Sequence, residues 1–213
     1  MLIKQNISKF KPLITDVAQT SHYQVKFGGL RSALRGFLKR KGVDSRFITD
    51  SAGLLCSSAS LPGSSLATAD ISGNFMGVME KMAHTRIYSE IQLEFYVDSD
   101  YRMLKFLEHW MEFIGGASDE VESNNGYFYR MEYPTEYKCQ QTKIIKFDRD
   151  YNKNLEYTFW NMFPINLSST PVTYQSSDLL KVSIAFNFER YISGKSSSKN
   201  LHVGNHSNFS LSS

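Results

Sequence analysis

Few residue groupings in this chain could support chemistry, and each has a simpler reading where it stands. Asp148-x-Asp150-x-Asn152 opens like a calcium loop, whose alternating oxygen ligands wrap a hard cation. Its sixth position is Lys153, not the glycine of the sharp turn, and its twelfth is Phe159, not a bidentate acid. The grouping reads as a polar hairpin turn. Asp98 and Asp100 could form a carboxylate pair for acid–base work, but they lie where a strand passes into a helix, where acids stabilise the helix N-terminus. His202 and His206 have a chelating spacing, yet they sit in a Ser/Asn-rich stretch without a third ligand. Gly28-Gly29-Leu30 precedes helical sequence but lacks the rest of a phosphate loop, and there is no GxSxG, HExxH or CxxC. His22, His84 and His109 are scattered. The residues therefore imply no catalytic, cofactor-binding or metal site, and a chain that is not an enzyme.

The strongest electrostatic feature is the run Arg31 to Lys41, with Arg31, Arg35, Lys39 and Arg40 as a candidate charged contact surface. Phosphate contact is one reading of it. The other is a solvated helix face, or one docked on an acidic neighbour such as Asp119 to Glu122 of the same chain or another copy. The formal net charge of the 213-residue chain is only +3, too small by itself to imply a nucleic-acid or membrane partner. With 41% hydrophobic and 21% charged residues, wholesale disorder is excluded. No run of 18 or more apolar residues is present, so no membrane span or anchor is expected. The first residues, MLIKQNISKFKPLITD, lack a secretory pattern. Cys56 and Cys139 accordingly read as reduced, buried thiols.

Periodicity supplies the elements. His22 to Phe27 alternates as a short strand, and residues 30–41 read as a short basic amphipathic helix carrying Leu30, Ala33, Leu34, Phe37 and Leu38. Ala52 to Ser60 reads as a strand that Leu61-Pro62-Gly63 ends. Arg86 to Val97 alternates throughout, with Tyr88, Glu90, Gln92, Glu94 and Tyr96 on its polar face. Met103, Phe106, Leu107, Trp110, Met111 and Ile114 form the core stripe of a helix that Gly115-Gly116 stops. Phe128 to Tyr133 reads as a short strand, and Gln141 to Phe147 with Leu155 to Phe163 as a hairpin. Pro164 and Pro171 bracket a loop, and Leu180 to Phe188 forms a last strand.

The fold class expected is α+β, mainly antiparallel β: a sandwich or barrel with one packed helix and an additional short basic helix. Residues 1–20 form an arm, 21–192 the β domain and 193–213 a flexible Ser-rich tail. Within the domain, the stretch 59–85 is unusual: long, rich in Ser, Ala, Gly and Met, and poor in charge. It reads as a loop-like arm buried against another subunit. Leu61, Pro62, Gly63, Phe75, Met76 and Val78 are its candidate interface residues.

The order of these segments resembles the tail tube protein family of contractile-tailed bacteriophages. The resemblance runs through Cys56-Ser57-Ser58-Ala59-Ser60-Leu61-Pro62-Gly63, the arm from Asn74 to Ala83, and Ile87 to Asp98. It continues through Lys105-Phe106-Leu107-Glu108-His109-Trp110, Phe159 to Asn166 and Leu180 to Tyr191. It covers roughly residues 20–192, and order and spacing carry it rather than any one motif. It implies a homohexameric ring whose sheets join into a barrel, stacked rings, and DNA only in transit through the lumen. Baseplate hub and tail sheath proteins are then the partners, no cofactor is needed, and the place is the virion tail, assembled in the host cytoplasm. The basic helix 30–41, the loop 117–127 and the Ser-rich tail look like insertions, which suit a baseplate-proximal initiator as well as a repeating subunit. The competing reading is a nucleic-acid-binding module that uses helix 30–41.

Overall fold

A computed structural model describes residues 18–73, 77–116, 131–148, 153–172, 174 and 178–194. In chain order the elements are β1 (Tyr23–Lys26), α1 (Ser32–Arg40), β2 (Cys56–Ala59), β3 (Ser64–Ile71), β4 (Glu80–Tyr88), β5 (Ile91–Tyr96) and α2 (Arg102–Gly115). There follow a single turn α3 (Pro134–Tyr137), then β6 (Thr142–Phe147), β7 (Lys153–Trp160), β8 (Phe163–Leu167), β9 (Lys181–Asn187) and β10 (Arg190–Gly194). The strands make one sheet in the order β1-β6-β7-β10, a second in the order β2-β5-β9-β8, and a separate hairpin β3-β4. Every pairing is antiparallel. The fold is thus the mainly antiparallel α+β class expected, but neither four-stranded sheet closes into a barrel.

Two strands of each sheet are continuous with two of the other. β7 runs into β8 and β9 into β10, so a long two-stranded ribbon bends from one sheet to the other. At the bend Asn161 takes the left-handed backbone (φ 55), a conformation asparagine tolerates better than most residues. Met162 exchanges both backbone hydrogen bonds with Cys139 at 2.8 and 2.9 Å, and the Glu189 N–H donates to the Trp160 carbonyl at 3.1 Å. Asn161 Nδ2 and Lys138 Nζ both donate to the Glu189 carboxylate at 2.7 Å. Those two bonds, the lysine's first, hold the Glu189 carboxyl below the usual glutamate range.

Both sheets share one core. Ile91, Leu93 and Phe95 alternate inward on β5, as do Val182, Ile184 and Phe186 on β9, all at most 1% exposed. On α2, Met103, Phe106, Leu107 and Trp110 are fully buried, at the three- and four-residue spacing that makes one helix face. The Trp110 indole donates to the Tyr137 carbonyl at 3.0 Å, so its polar atom is satisfied in the interior. Phe27, just after β1, touches Phe106 (5.6 Å between ring centres), Phe95 (6.0 Å), Phe186 (6.1 Å) and Trp110 (6.4 Å). One side chain thus joins β1's sheet, the second sheet and α2. Two glycines permit the close approaches around it. A Cβ on Gly53 would lie 1.7 Å from the Val25 carbonyl oxygen, and one on Gly28 would lie 2.7 Å from that of Gln141.

Asp98 starts α2. Its carboxylate accepts the Met103 N–H at 3.3 Å and the Arg102 Nε–H at 2.7 Å, serving as the helix-terminal acid expected of this position. Gly116, at φ 80, stops the helix as expected.

Several expected elements differ. The alternating run from Arg86 to Val97 is two strands broken at Ser89-Glu90. Ile87 belongs to the hairpin and is half exposed, while Ile91 begins the buried sheet, so one period spans two different environments. The stretch expected as a loop-like arm holds the strands β3 and β4 of an antiparallel hairpin, with residues 74–76 between them outside the described residues. Neither face of these strands is buried among the described residues, which removes the apolar–polar alternation that would reveal them. Ala52 to Leu55 is a 3-10 turn, leaving only Cys56 to Ala59 as strand. The strand expected over Leu155 to Phe163 ends at Trp160, where the ribbon bends. Pro164 lies in β8 rather than a loop, on an outer strand with an irregular register, where a missing N–H is tolerated. Residues 131–133 of the expected strand Phe128–Tyr133 are irregular, and its start falls outside the described residues. The Asp148–Asn154 link joins antiparallel β6 and β7 as expected, with its centre outside the described residues. Also outside them lie most of the N-terminal arm 1–20, the loop 117–127 and the tail from residue 195, including His202 and His206.

Phe27→Ala should cost about 3–5 kcal/mol, since a large ring leaves a cavity that three elements line. It should appear as a lower urea midpoint with an unchanged m-value. For Asp98, burial pushes the carboxyl up, but the bonds from Arg102 and the Met103 N–H outweigh it and hold it below the usual aspartate range. A depressed folded value means stability that is present above the unfolded value of about 3.9 and lost as pH falls through the folded one. Asp98→Asn should therefore be less stable than the parent by about 1 kcal/mol at neutral pH. That difference should shrink in acid-range denaturation curves below about pH 4.

Candidate functional site

The β3-β4 hairpin projects from the body with its side chains in solvent. Strand pairing puts Ala67, Ala69 and Ile71 on one face with Met82 and Ile87, and Leu66, Thr68 and Asp70 on the other with Lys81, Ala83 and Arg86. Ile71, Met82 and Ile87 are each roughly half exposed, Leu66 and Met79 somewhat more, and Val78 is 93% exposed. Apolar side chains held in strand geometry and left uncovered by the other described residues make this hairpin a candidate contact surface.

The hairpin's base is held firmly. The Arg86 guanidinium lies over the rings of Tyr88 (5.2 Å) and Tyr191 (5.3 Å). It donates to the Ser64 hydroxyl at 3.0 Å and the Tyr191 hydroxyl at 3.1 Å. Tyr88 also meets the Phe188 ring at 5.9 Å, which ties β4 to the chain just before β10. At the entrance the Ser89 N–H donates to the Gly63 carbonyl at 3.3 Å.

Of the candidate interface residues, Leu61 is half exposed and Pro62 partly buried where the chain enters the hairpin. A Cβ on Gly63 would stand 2.7 Å from the Ser89 hydroxyl. Val78 is almost wholly exposed in the connection just before β4, and Phe75 and Met76 fall outside the described residues. Leu66, Met79, Met82 and Ile87 carry much of the exposed apolar surface and were not singled out from sequence. The signal for three of them was present in the low charge of 59–85; Ile87 was assigned to a core strand instead.

A second surface is the outer face of the β2-β5-β9-β8 sheet. Ser58, Gln92, Glu94, Asn166 and Ser183 line a shallow depression of about 240 Å³ there. Glu94 accepts from the Ser57 hydroxyl at 2.9 Å and lies 3.5 Å from Lys181 Nζ, so the central charges of this face offset one another. Of the expected polar face, Gln92, Glu94 and Tyr96 belong here, whereas Tyr88 sits at the hairpin base. The outer strands β2 and β8 are each bonded on one side only within this sheet.

The third surface is α1. Leu34, Phe37 and Leu38 are buried, and Phe37 meets Phe113 of α2 at 5.3 Å. Arg31 turns inward, its guanidinium 2.7 Å from the Gln140 side-chain oxygen in the amide orientation that suits both polar atoms of Gln140, while Arg31 Nε is buried without a hydrogen-bond partner among the described residues. Arg35, Lys39 and Arg40 stay exposed on the helix. Helix α1 packs on α2, and α2 covers the apolar face of the β2-β5-β9-β8 sheet, as Trp110 against Phe186 at 5.8 Å shows. The basic face therefore lies on the core side of that sheet, away from its polar face.

No group of three or more His, Cys, Asp or Glu side chains among the described residues could hold a metal ion. Both cysteines are free, and burial pushes the Cys56 thiol up to about 11 and raises that of Cys139 as well, so neither is a ready nucleophile. Among the described residues no helix is long and apolar enough to cross a membrane.

A sequence model described as phage tail tube protein matches residues 18–194. No curated protein sequence matches the chain significantly. Among solved structures, the chain is similar to one in the tube-terminating cap of the anti-feeding prophage. The TM-score is 0.55 at 15% identity, covering 84% of this chain and 91% of that one. It is also similar to a chain of the sheath–tube complex of an extracellular contractile injection system in its extended state. There the TM-score is 0.51 at 14% identity, covering 90% of this chain and 99% of that one. At these identities the structural likeness concerns the fold.

Arg86→Ala should loosen the hairpin without unsettling the body. Amide hydrogen exchange should quicken across residues 64–88, while the global unfolding free energy changes by about 1 kcal/mol or less.

Proposed function

The chain belongs to the phage tail tube protein family, and we propose that it builds a hexameric ring of a contractile tail's tube or of its baseplate-proximal start. The observation that carries this reading is the β3-β4 hairpin, whose apolar residues are left exposed by the other described residues. Six copies set β8 of one subunit beside β2 of the next. The four-stranded sheets then join into one barrel, and the unpaired N–H and C=O groups of the open edges are satisfied. The polar face around Gln92, Glu94 and Ser183 lines the lumen. A lumen wall of hydroxyls, amides and offset charges passes DNA without holding it.

The hairpin and the segment from Leu61 to Val78, whose sequence includes Phe75 and Met76, reach to an adjacent subunit or ring. Rings stack through this contact, and the tube meets a baseplate hub at one end and a sheath around its outside. The protein acts as a structural part of the virion tail, assembled in the host cytoplasm, and has no catalytic role.

Light-scattering mass and negative-stain images of the purified chain should show six-fold rings or stacked tubes. Met76→Glu and Met82→Glu should each keep the far-ultraviolet circular dichroism of the parent and block stacking. A wild-type chain that stays monomeric at high concentration and beside a baseplate template, or glutamate variants that stack normally, would remove the reading.

A further inference from the structure

We infer that the exposed face of α1 is the docking surface for an acidic segment of a protein lying outside the ring, a reading that rests on the tube role proposed above. The residues from Arg31 to Asp50 hold six Arg or Lys against two Asp, so this short segment carries more than the whole chain's net charge of +3. Two of the six cations are used internally: Arg31 by Gln140, and Lys41 by Glu112 at 3.1 Å. Arg35, Lys39, Arg40 and Arg46 make no ion pair among the described residues. Arg35 only donates to the Leu30 carbonyl, at 3.1 Å, and Arg40 lies over the Phe37 ring at 5.8 Å. Arg35 and Lys39 are one helical turn apart, so their charges stand side by side.

The same face carries Ser32, Ala33 and Gly36, all exposed. Glycine in a helix interior is destabilising relative to alanine, and outside the backbone of its own helix nothing among the described residues lies within 4 Å of where a Gly36 Cβ would be. The bare strip flanked by cations lets a second backbone approach closely, as a docked helix or loop requires. Phe37 is buried, so the patch offers no aromatic face on which a base could stack. Its position excludes cargo as well. If the polar face of the β2-β5-β9-β8 sheet lines the lumen, α1 lies behind the core from it and faces whatever surrounds the tube. The partner chemistry is therefore an acidic protein face, such as that of an enclosing sheath subunit.

The test uses full-length tubes mixed with the sheath protein of the same particle, read by co-sedimentation and negative stain. Wild-type tubes should be decorated at physiological salt and lose the sheath in about 1 M salt. The triple variant Arg35→Glu, Lys39→Glu, Arg40→Glu should form normal tubes and bring down at least about tenfold less sheath. Gly36→Trp should behave likewise, whereas Gly36→Ala should keep its sheath with a melting temperature at or above that of the parent. Equal decoration of wild-type and triple-variant tubes would overturn the inference. So would a triple variant that folds but forms no tube, because α1 would then be a ring contact. Tubes that ignore sheath but bind a 30-base-pair DNA duplex through these same cations would replace it with a nucleic-acid role. A wild-type chain that forms no ring would remove the tube reading itself, and this inference with it.

Discussion

The bend in the long ribbon is the constraint from which the other surfaces follow. Because β7 continues into β8 and β9 into β10, the two four-stranded sheets cannot choose their relation independently. The Cys139–Met162 bridge, the left-handed Asn161 and the Lys138–Glu189–Asn161 contacts fix the angle at one place. Once that angle is set, the inward faces of β5 and β9 meet Phe27 and α2, and one core serves both sheets. The same bend leaves β2 and β8 as outer strands on one sheet. Core and open edges thus come from one geometric decision.

What could be read from residue order follows what is buried inside a single chain. β9 and α2 show their periods cleanly because one face of each lies on the core, and burial imposes a period on any element with two unlike faces. β1 and the paired strands β6 and β7 were legible for the same reason. The hairpin was not, although its low charge was. Ser, Ala, Thr and Met alternate there without contrast, because neither face of the hairpin is buried among the described residues. The break at Ser89-Glu90 was hidden for a related reason: the alternation through Ile87 and Ile91 is continuous in sequence, while the first faces solvent and the second the core. The ribbon bend left no signal, since Asn161-Met162 is an unremarkable dipeptide whose role depends on Cys139, more than twenty residues before it.

The surface candidates divide along the same line. Leu61 and Val78 could be picked out because they are apolar residues in a charge-poor stretch, and both are exposed. Helix α1 was visible as a basic amphipathic run, but the inward turn of Arg31 depends on Gln140, over a hundred residues away. Which cations remain for an outside partner is a tertiary fact. The Glu94–Lys181 proximity is another, since it joins residues of different strands across the β5-β9 pairing.

The hairpin also bears on how long the chain can exist alone. It is local in sequence, it touches the core only through Tyr88 at its base among the described residues, and it exposes Leu66, Ile71, Met82 and Ile87 on strands of eight and nine residues. An uncovered ribbon of that composition templates strand addition by any neighbour that meets it, correct or not. The body's stability does nothing to prevent this, because the hazard is present in the fully native chain. For the tube growth proposed above, free subunit concentration, rather than folding, is then the quantity that decides between ordered growth and clumping, and the rate of supply has to stay matched to the rate at which growing ends would consume it.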